Sequence, residues 1–166
     1  MKKCVNAFLA FILFLICCGN LQAKDQSFSL QAFSHEAFKI LKKEKLDERW
    51  LIVLWSLDCP ACFKELKLIQ TLQDSNKDKR LNVVFINVDD SDEVELERNQ
   101  VISFYKMNNF DNFYFTDAMA DKSRYQIDPS WFGELPRSYF VNENGKLQGK
   151  SGLLDEALIR QWLLNK

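Results

Sequence analysis

The stretch Trp50–Leu66, WLIVLWSLDCPACFKEL, decides how this chain folds. Its first six residues, Trp50–Trp55, are apolar on both faces, with no polar residue alternating between them. A run of this length rich in large and β-branched side chains predicts a central strand of a parallel or mixed sheet. Pro60 then stands where a helix begins, and Phe63, Leu66, Ile69 and Leu72 follow at threefold spacing, so a helix is expected from Pro60 to about Ser75. Cys59 and Cys62 lie at the junction of the two elements, with two residues between them.

Three chemistries suit such a pair. A structural zinc site needs four ligands, often from two such pairs, and His35 is the single histidine of the chain. A purely structural disulfide across so small a loop constrains the unfolded chain weakly. Redox exchange fits the position better. Just ahead of a helix, the Cys59 sulfur lies near unpaired backbone N–H groups and the positive end of the dipole, which favours the reactive thiolate. Cys62, one turn on, is placed to attack a mixed disulfide formed on Cys59 and release the partner.

Outward from this stretch the pattern alternates. Phe28–Phe33 reads as a short strand, and Ala37, Phe38 and Leu41, with the charged end Lys42–Lys45, form an amphipathic helix starting at Ser34. Leu81–Val88 is a second buried strand. Asp90 with Glu93 suggests a capping box before a helix bearing Val94, Val101, Ile102 and Tyr105. Asn112–Asp117 reads as a short strand and Ala118–Tyr125 as a short helix. Arg137–Val141 and Lys146–Lys150 make a hairpin around Asn144-Gly145. Leu153–Leu164 closes the chain as a helix with Leu154, Leu158, Trp162 and Leu163 on one face. Alternating units followed by a hairpin predict an α/β sandwich with a mixed central β-sheet flanked by helices.

The chain has 166 residues, 47% of them hydrophobic, enough for one packed domain and too many for disorder. Its net charge is −1 with both signs interspersed, so no polyanionic partner such as nucleic acid is expected. Residues 1–23 read as a signal peptide: Met1-Lys2-Lys3, then the apolar run Ala7–Cys18, with cleavage expected after Ala23. The run is shorter than the roughly 20 residues a spanning helix needs. An uncleaved anchor is one alternative. A lipoprotein is another, because Leu15–Gly19 loosely resembles a lipobox, although Cys17 stands where a small residue is usual. Cleavage removes Cys4, Cys17 and Cys18, so residues 24–166 keep a single cysteine pair, in an export context where disulfides persist.

LIVLWSLDCPAC, the helix after it, and LPRSYFVNENGK further on resemble the thioredoxin superfamily, in particular its exported TlpA-type branch. The resemblance implies a thioredoxin-like sandwich over residues 24–166. It implies a cis proline at Pro136, facing the cysteine pair at the start of a late strand. Glu65, three residues after Cys62, matches an acid of some TlpA-type reductases and is a candidate proton donor or acceptor, with a solvated helix carboxylate as the alternative. The buried aspartate that thioredoxin carries six residues before its first cysteine is here Val53. Trp55 matches a tryptophan that packs near the site, or is plain core. Trp131 and Phe132 either line a groove for partner proteins or pack in the core.

The expected function is therefore thiol–disulfide exchange on exported proteins, with Cys59 attacking, Cys62 resolving and Pro136 presenting the substrate. TlpA-type proteins are mostly reductants, so reduction is the first expectation; a disulfide-forming oxidase and a non-catalytic binding module or holdase are the alternatives. A peroxidase of the related peroxiredoxin type is disfavoured, because Ser56 stands where a Thr-x-x-Cys motif has its threonine. No metal or organic cofactor is required. The expected partners are thiol- or disulfide-containing exported proteins and a redox partner protein, met by a monomer in the periplasm. Membrane association is expected only if the leader is retained or lipidated.

Overall fold

The computed structural model describes residues 30–164. The leader, its cleavage after Ala23 and the lipobox-like segment lie outside the described residues. The elements follow in the expected order: β1 (Leu30–Ala32), α1 (His35–Glu44), β2 (Trp50–Trp55), α2 (Pro60–Ser75), β3 (Val83–Asn87), α3 (Glu95–Phe104), β4 (Asp111–Tyr114), α4 (Ala120–Ile127), β5 (Arg137–Val141), β6 (Leu147–Ser151) and α5 (Glu156–Leu163). Single 3-10 turns at Asp92–Val94, Met107–Asn109 and Asp117–Met119 join some of them.

The six strands form one sheet in the order β1-β4-β3-β2-β5-β6. β1, β4, β3 and β2 run parallel, whereas β5 is antiparallel to β2 and β6 to β5. This is the mixed sheet of a thioredoxin-like α/β fold. β2 is central, and all six of its residues are buried. Its side chains alternate between two cores. Leu51, Val53 and Trp55 pack with Cys59, Cys62, Leu66, Ile69 and Leu72, beneath α2. Trp50, Ile52 and Leu54 pack on the other face with Phe38, Leu41 and Trp131. A strand covered on both sides has no polar face, which is why its sequence lacks alternation.

Two local expectations need correction, the capping box and the start of the last helix. The Asp90/Glu93 capping box does not form: Ser91 caps the 3-10 turn by accepting from the Glu93 N–H, and α3 starts only at Glu95. The hairpin forms around Asn144-Gly145 as expected, its turn running from Asn142 to Gly145 and closed by Gly145 N–H to Asn142 O at 2.8 Å, with Gly145 at φ +73° as its last residue. The last helix starts at Glu156, because Asp155 accepts from the N–H groups of Ala157 and Leu158 as its N-cap. Its most buried residue is Ile159, which the expected face omitted.

Candidate active site

The parallel strands β2 and β3 end side by side, with Trp55 opposite Asn87. In an open α/β sheet the loops at these carboxyl ends are where reactive groups gather. Four residues later the chain enters α2, and Cys59 is its N-cap. Cys59 and Cys62 are disulfide-bonded, with Cα atoms 5.3 Å apart. The Cys59 sulfur accepts from the Cys62 N–H at 3.2 Å, the position a thiolate would take at the helix N-terminus. Cys59 keeps 8% of its surface exposed and Cys62 none. Cys59 is thus the less enclosed of the two cysteines, and Cys62 is fully buried. The Cys62 sulfur lies 3.9 Å from the Leu54 carbonyl oxygen, an acceptor for its S–H once the bond is reduced.

Asp58 and Lys64, which flank the pair, are both exposed, so solvent screens their charges. Glu65 is different. It lies on the buried face of α2 with 1% of its surface exposed. Oε1 accepts from the Leu154 N–H at 2.8 Å, while Oε2 is buried with no partner among the described residues. Burial pushes its carboxyl up to about 7, although the Leu154 N–H and the Lys150 charge both pull the other way. A carboxyl that titrates near neutrality one helical turn from Cys62 can exchange a proton at working pH. Of the two readings of Glu65, the solvated helix carboxylate is excluded by its burial.

Pro136 follows a cis peptide bond, Leu135–Pro136, as the resemblance implied. β5 starts at the next residue, and Arg137 pairs with Leu54. Pro136 therefore lies beside Trp55, at the end of the sheet from which the cysteine loop leaves. No hydrogen bond within the described residues engages the Leu135 amide or carbonyl. Trp55 is 1% exposed and packs in the cluster that holds both cysteines. Trp131 is buried and donates its Nε1–H to the Glu134 carbonyl, whereas Phe132 is 88% exposed. Only the second of these aromatics is available to a partner. Val53, at the aspartate position of thioredoxin, is fully buried in core. His35 is exposed at the first turn of α1, and no cluster of three metal-ligating side chains occurs among the described residues.

Sequence reasoning missed the polar groups that hold the loop. Asp89 accepts from the Ser56 hydroxyl and, at 2.8 Å, from the Leu57 N–H. Asn87 donates to Asp89, and the buried Arg98 donates to Asn87. A signal was present: Arg98 falls on the stripe Val94, Arg98, Val101, Ile102, where an arginine is out of place among apolar neighbours. Beside Pro136, Asp128 accepts from Arg137, Tyr139 and Ser130. Burial pulls the Asp128 carboxyl upward, but these hydrogen bonds outweigh it and hold it below the usual carboxylate range.

Sheet order, the disulfide-bonded C-x-x-C pair at a helix N-terminus and the cis proline at the same end of the sheet define a thioredoxin-like redox protein. A family model described as the AhpC/TSA family matches residues 21–150, and the chain belongs to that family. A comparison with curated proteins finds no match. Among solved structures, the thioredoxin domain of a thiol-disulfide oxidoreductase from Bacteroides vulgatus is similar at 16% identity and TM-score 0.56, over 73% of this chain and 83% of that one. The exposed lipoprotein thioredoxin of Streptococcus pneumoniae is similar at 14% identity and TM-score 0.51, over 72% and 86%. StoA from Bacillus subtilis is similar at 21% identity and TM-score 0.47, over 70% and 83%. The first two likenesses show the thioredoxin-like fold. With the family and the bonded pair, the protein is a thiol–disulfide oxidoreductase whose redox centre is Cys59–Cys62.

Proposed function

We propose that the protein reduces disulfide bonds of exported proteins, as a monomer on the outer side of the cytoplasmic membrane. The observation that carries this reading is the unequal burial of the pair: Cys59 at the helix N-cap keeps some exposed surface, and Cys62 one turn on has none. In the reduced protein the Cys59 thiolate attacks a partner disulfide. One partner sulfur leaves as a thiolate, and a mixed disulfide forms on Cys59. Cys62 then gives its proton to the Glu65 carboxylate and attacks the Cys59 sulfur. The second partner thiol is released, and the Cys59–Cys62 bond reforms. The partner has gained two electrons and the protein has lost two, which a redox partner protein must resupply. The unengaged Leu135 backbone beside Pro136 supplies an amide and a carbonyl to an extended partner strand. The apolar run Ala7–Cys18 supports export, and retention or lipidation of the leader would hold the domain at the membrane.

The deciding measurement is the reduction potential of the pair in equilibrium with dithiothreitol or glutathione. A value near about −270 mV is expected and supports a reductant; a value near about −120 mV makes the protein an oxidant of exported thiols. Cys59→Ser should abolish reduction of a protein disulfide, and Cys62→Ala should trap the mixed disulfide. A holdase would keep its function in Cys59→Ser. Ser56 bears on the peroxidase reading. Its hydroxyl donates to Asp89 and accepts from the Asp58 N–H, so it is committed to the loop rather than free to face a peroxide. Peroxide turnover by the purified protein at a rate comparable to disulfide reduction would reverse that reading.

A further inference from the structure

Arg98 is 1% exposed, yet it forms no ion pair with a carboxylate among the described residues. Its donors go to neutral oxygens: Nε to Asn87 Oδ1 at 2.7 Å, and one terminal nitrogen to the carbonyls of Asp89 at 2.9 Å and Ser91 at 3.2 Å. The guanidinium also lies over the Tyr114 ring at 4.7 Å. A charge kept this deep depends on the hydrogen bonds that hold it.

Its consequence runs through Asn87. A guanidinium only donates, so the Asn87 amide must turn its oxygen toward Arg98 and its NH2 the other way. That NH2 donates to Asp89 Oδ2 at 2.8 Å and to the Trp55 carbonyl at 3.3 Å. The Asp89 carboxylate in turn takes the Leu57 N–H and the Ser56 hydroxyl. Ser56 takes the Asp58 N–H on its hydroxyl and the Cys59 N–H on its carbonyl. Each residue from Ser56 to Cys59 is therefore tied into a chain that ends at Arg98. In the oxidised protein the disulfide also holds Cys59. In the reduced protein this chain, with the Cys62 N–H on the Cys59 carbonyl at 2.9 Å, is left to hold the loop that sets the sulfur against the helix N-terminus.

We propose that Arg98, Asn87 and Asp89 form one positioning relay that holds the Cys59 sulfur at the N-cap of α2 in the reduced enzyme. The proposal deepens the function above and rests on its reading of Cys59 as the attacking thiol. The relay and a simple charge effect predict opposite signs. If Asp89 acts only as a nearby negative charge, Asp89→Asn lowers the Cys59 thiol pKa. If it acts as a clamp, Asp89→Asn lets the sulfur leave the N–H groups and raises that pKa.

The test is the pH dependence of thiolate absorbance and of iodoacetamide alkylation at Cys59 in the reduced protein, for Asp89→Asn, Arg98→Lys and the double variant. A rise of about one unit is expected in each single variant, so that roughly tenfold less thiolate is present below the pKa. The double variant should shift no further than the larger single one, because one relay is broken only once. A fall or no change in folded Asp89→Asn overturns the proposal, as do shifts that add in the double variant. Should Asp89→Asn fail to fold, Ser56→Ala cuts the hydroxyl link alone. A rise is expected there too, and an unchanged pKa overturns the relay. A parent protein whose thiols alkylate normally but which reduces no protein disulfide counts against the proposed function, while the pKa comparison still decides on the relay.

Discussion

Glu65 carries a carboxyl in a place where charge is expensive. Its pKa is raised from an ordinary 4.5 to about 7, first by burial. The unfolded chain gives up this proton near pH 4.5 and the folded chain holds it to about 7. The folded state therefore binds more protons between those values, and its stability falls as pH rises through that window. Below it the penalty is absent, and above it the penalty is complete, on the order of 3 kcal/mol. Glu65→Gln keeps the acceptor for the Leu154 N–H and cannot ionise, but it buries an amide NH2 where Oε2 now lacks a partner. That costs roughly 1–2 kcal/mol. Net stabilisation of about 1–2 kcal/mol is expected at pH 8, with the decline between pH 4.5 and 7 flattened, as read by urea unfolding across pH. The same variant should lose an inflection near pH 7 in the resolving step and slow that step about tenfold or more. If the stability profile flattens and the resolving step keeps its inflection, Glu65 is a buried acid with no part in the proton transfer.

Each element could be read from sequence in proportion to how far its own residues decide it. β2, α2 and β5 have the bounds that the sequence predicted, because unbroken apolar runs and a proline at the helix start are local signals. The capping box and the start of the last helix were misplaced, because several acidic and hydroxyl side chains compete to cap and the winner depends on where the chain turns. Cys59, Cys62 and Pro136 were legible as a motif. The relay at Arg98 and the cluster at Asp128 were not, since their members come together only when the sheet assembles. The hairpin shows what such assembly requires. A Cβ at Gly149 would overlap the Arg137 guanidinium and lie 3.1 Å from the Tyr139 ring. Arg137 is held there by Asp128 at 2.8 Å and by Ser151 at 2.8 Å. Gly149→Ala must displace the guanidinium from Asp128, at an expected cost of about 1–3 kcal/mol. Gly145→Ala meets open space but must adopt φ +73°, so about 1 kcal/mol is expected from conformation alone. Denaturant midpoints of the two variants check both. A Gly149 variant as stable as the parent would mean that the Arg137–Asp128 pair does not hold the strand that follows Pro136.

At the scale of the whole molecule, redox chemistry and folding are one thermodynamic cycle. The difference in unfolding free energy between the oxidised and reduced protein equals the difference in reduction potential between the folded pair and the same pair in the unfolded chain. About 30 mV in potential corresponds to about 1.4 kcal/mol. A protein that is oxidising owes this to a reduced form that is the more stable of the two. The pair here sits at the start of α2, directly after the central strand β2, and packs in the core beneath that helix, so any redox preference is borne by the fold rather than by a loose loop. Two features pull in opposite directions. The helix N-terminus and the Cys62 N–H stabilise a Cys59 thiolate, and hence the reduced form. The buried Cys62 and the Glu65 carboxylate above pH 7 disfavour a second negative charge beside it, and so favour closure of the disulfide. For a reductant the second effect must win. Urea unfolding at pH 8, with and without dithiothreitol, should therefore show the oxidised protein as the more stable form. A reduced form more stable than the oxidised one at pH 8 would assign the protein to the oxidants, whatever its fold relatives do.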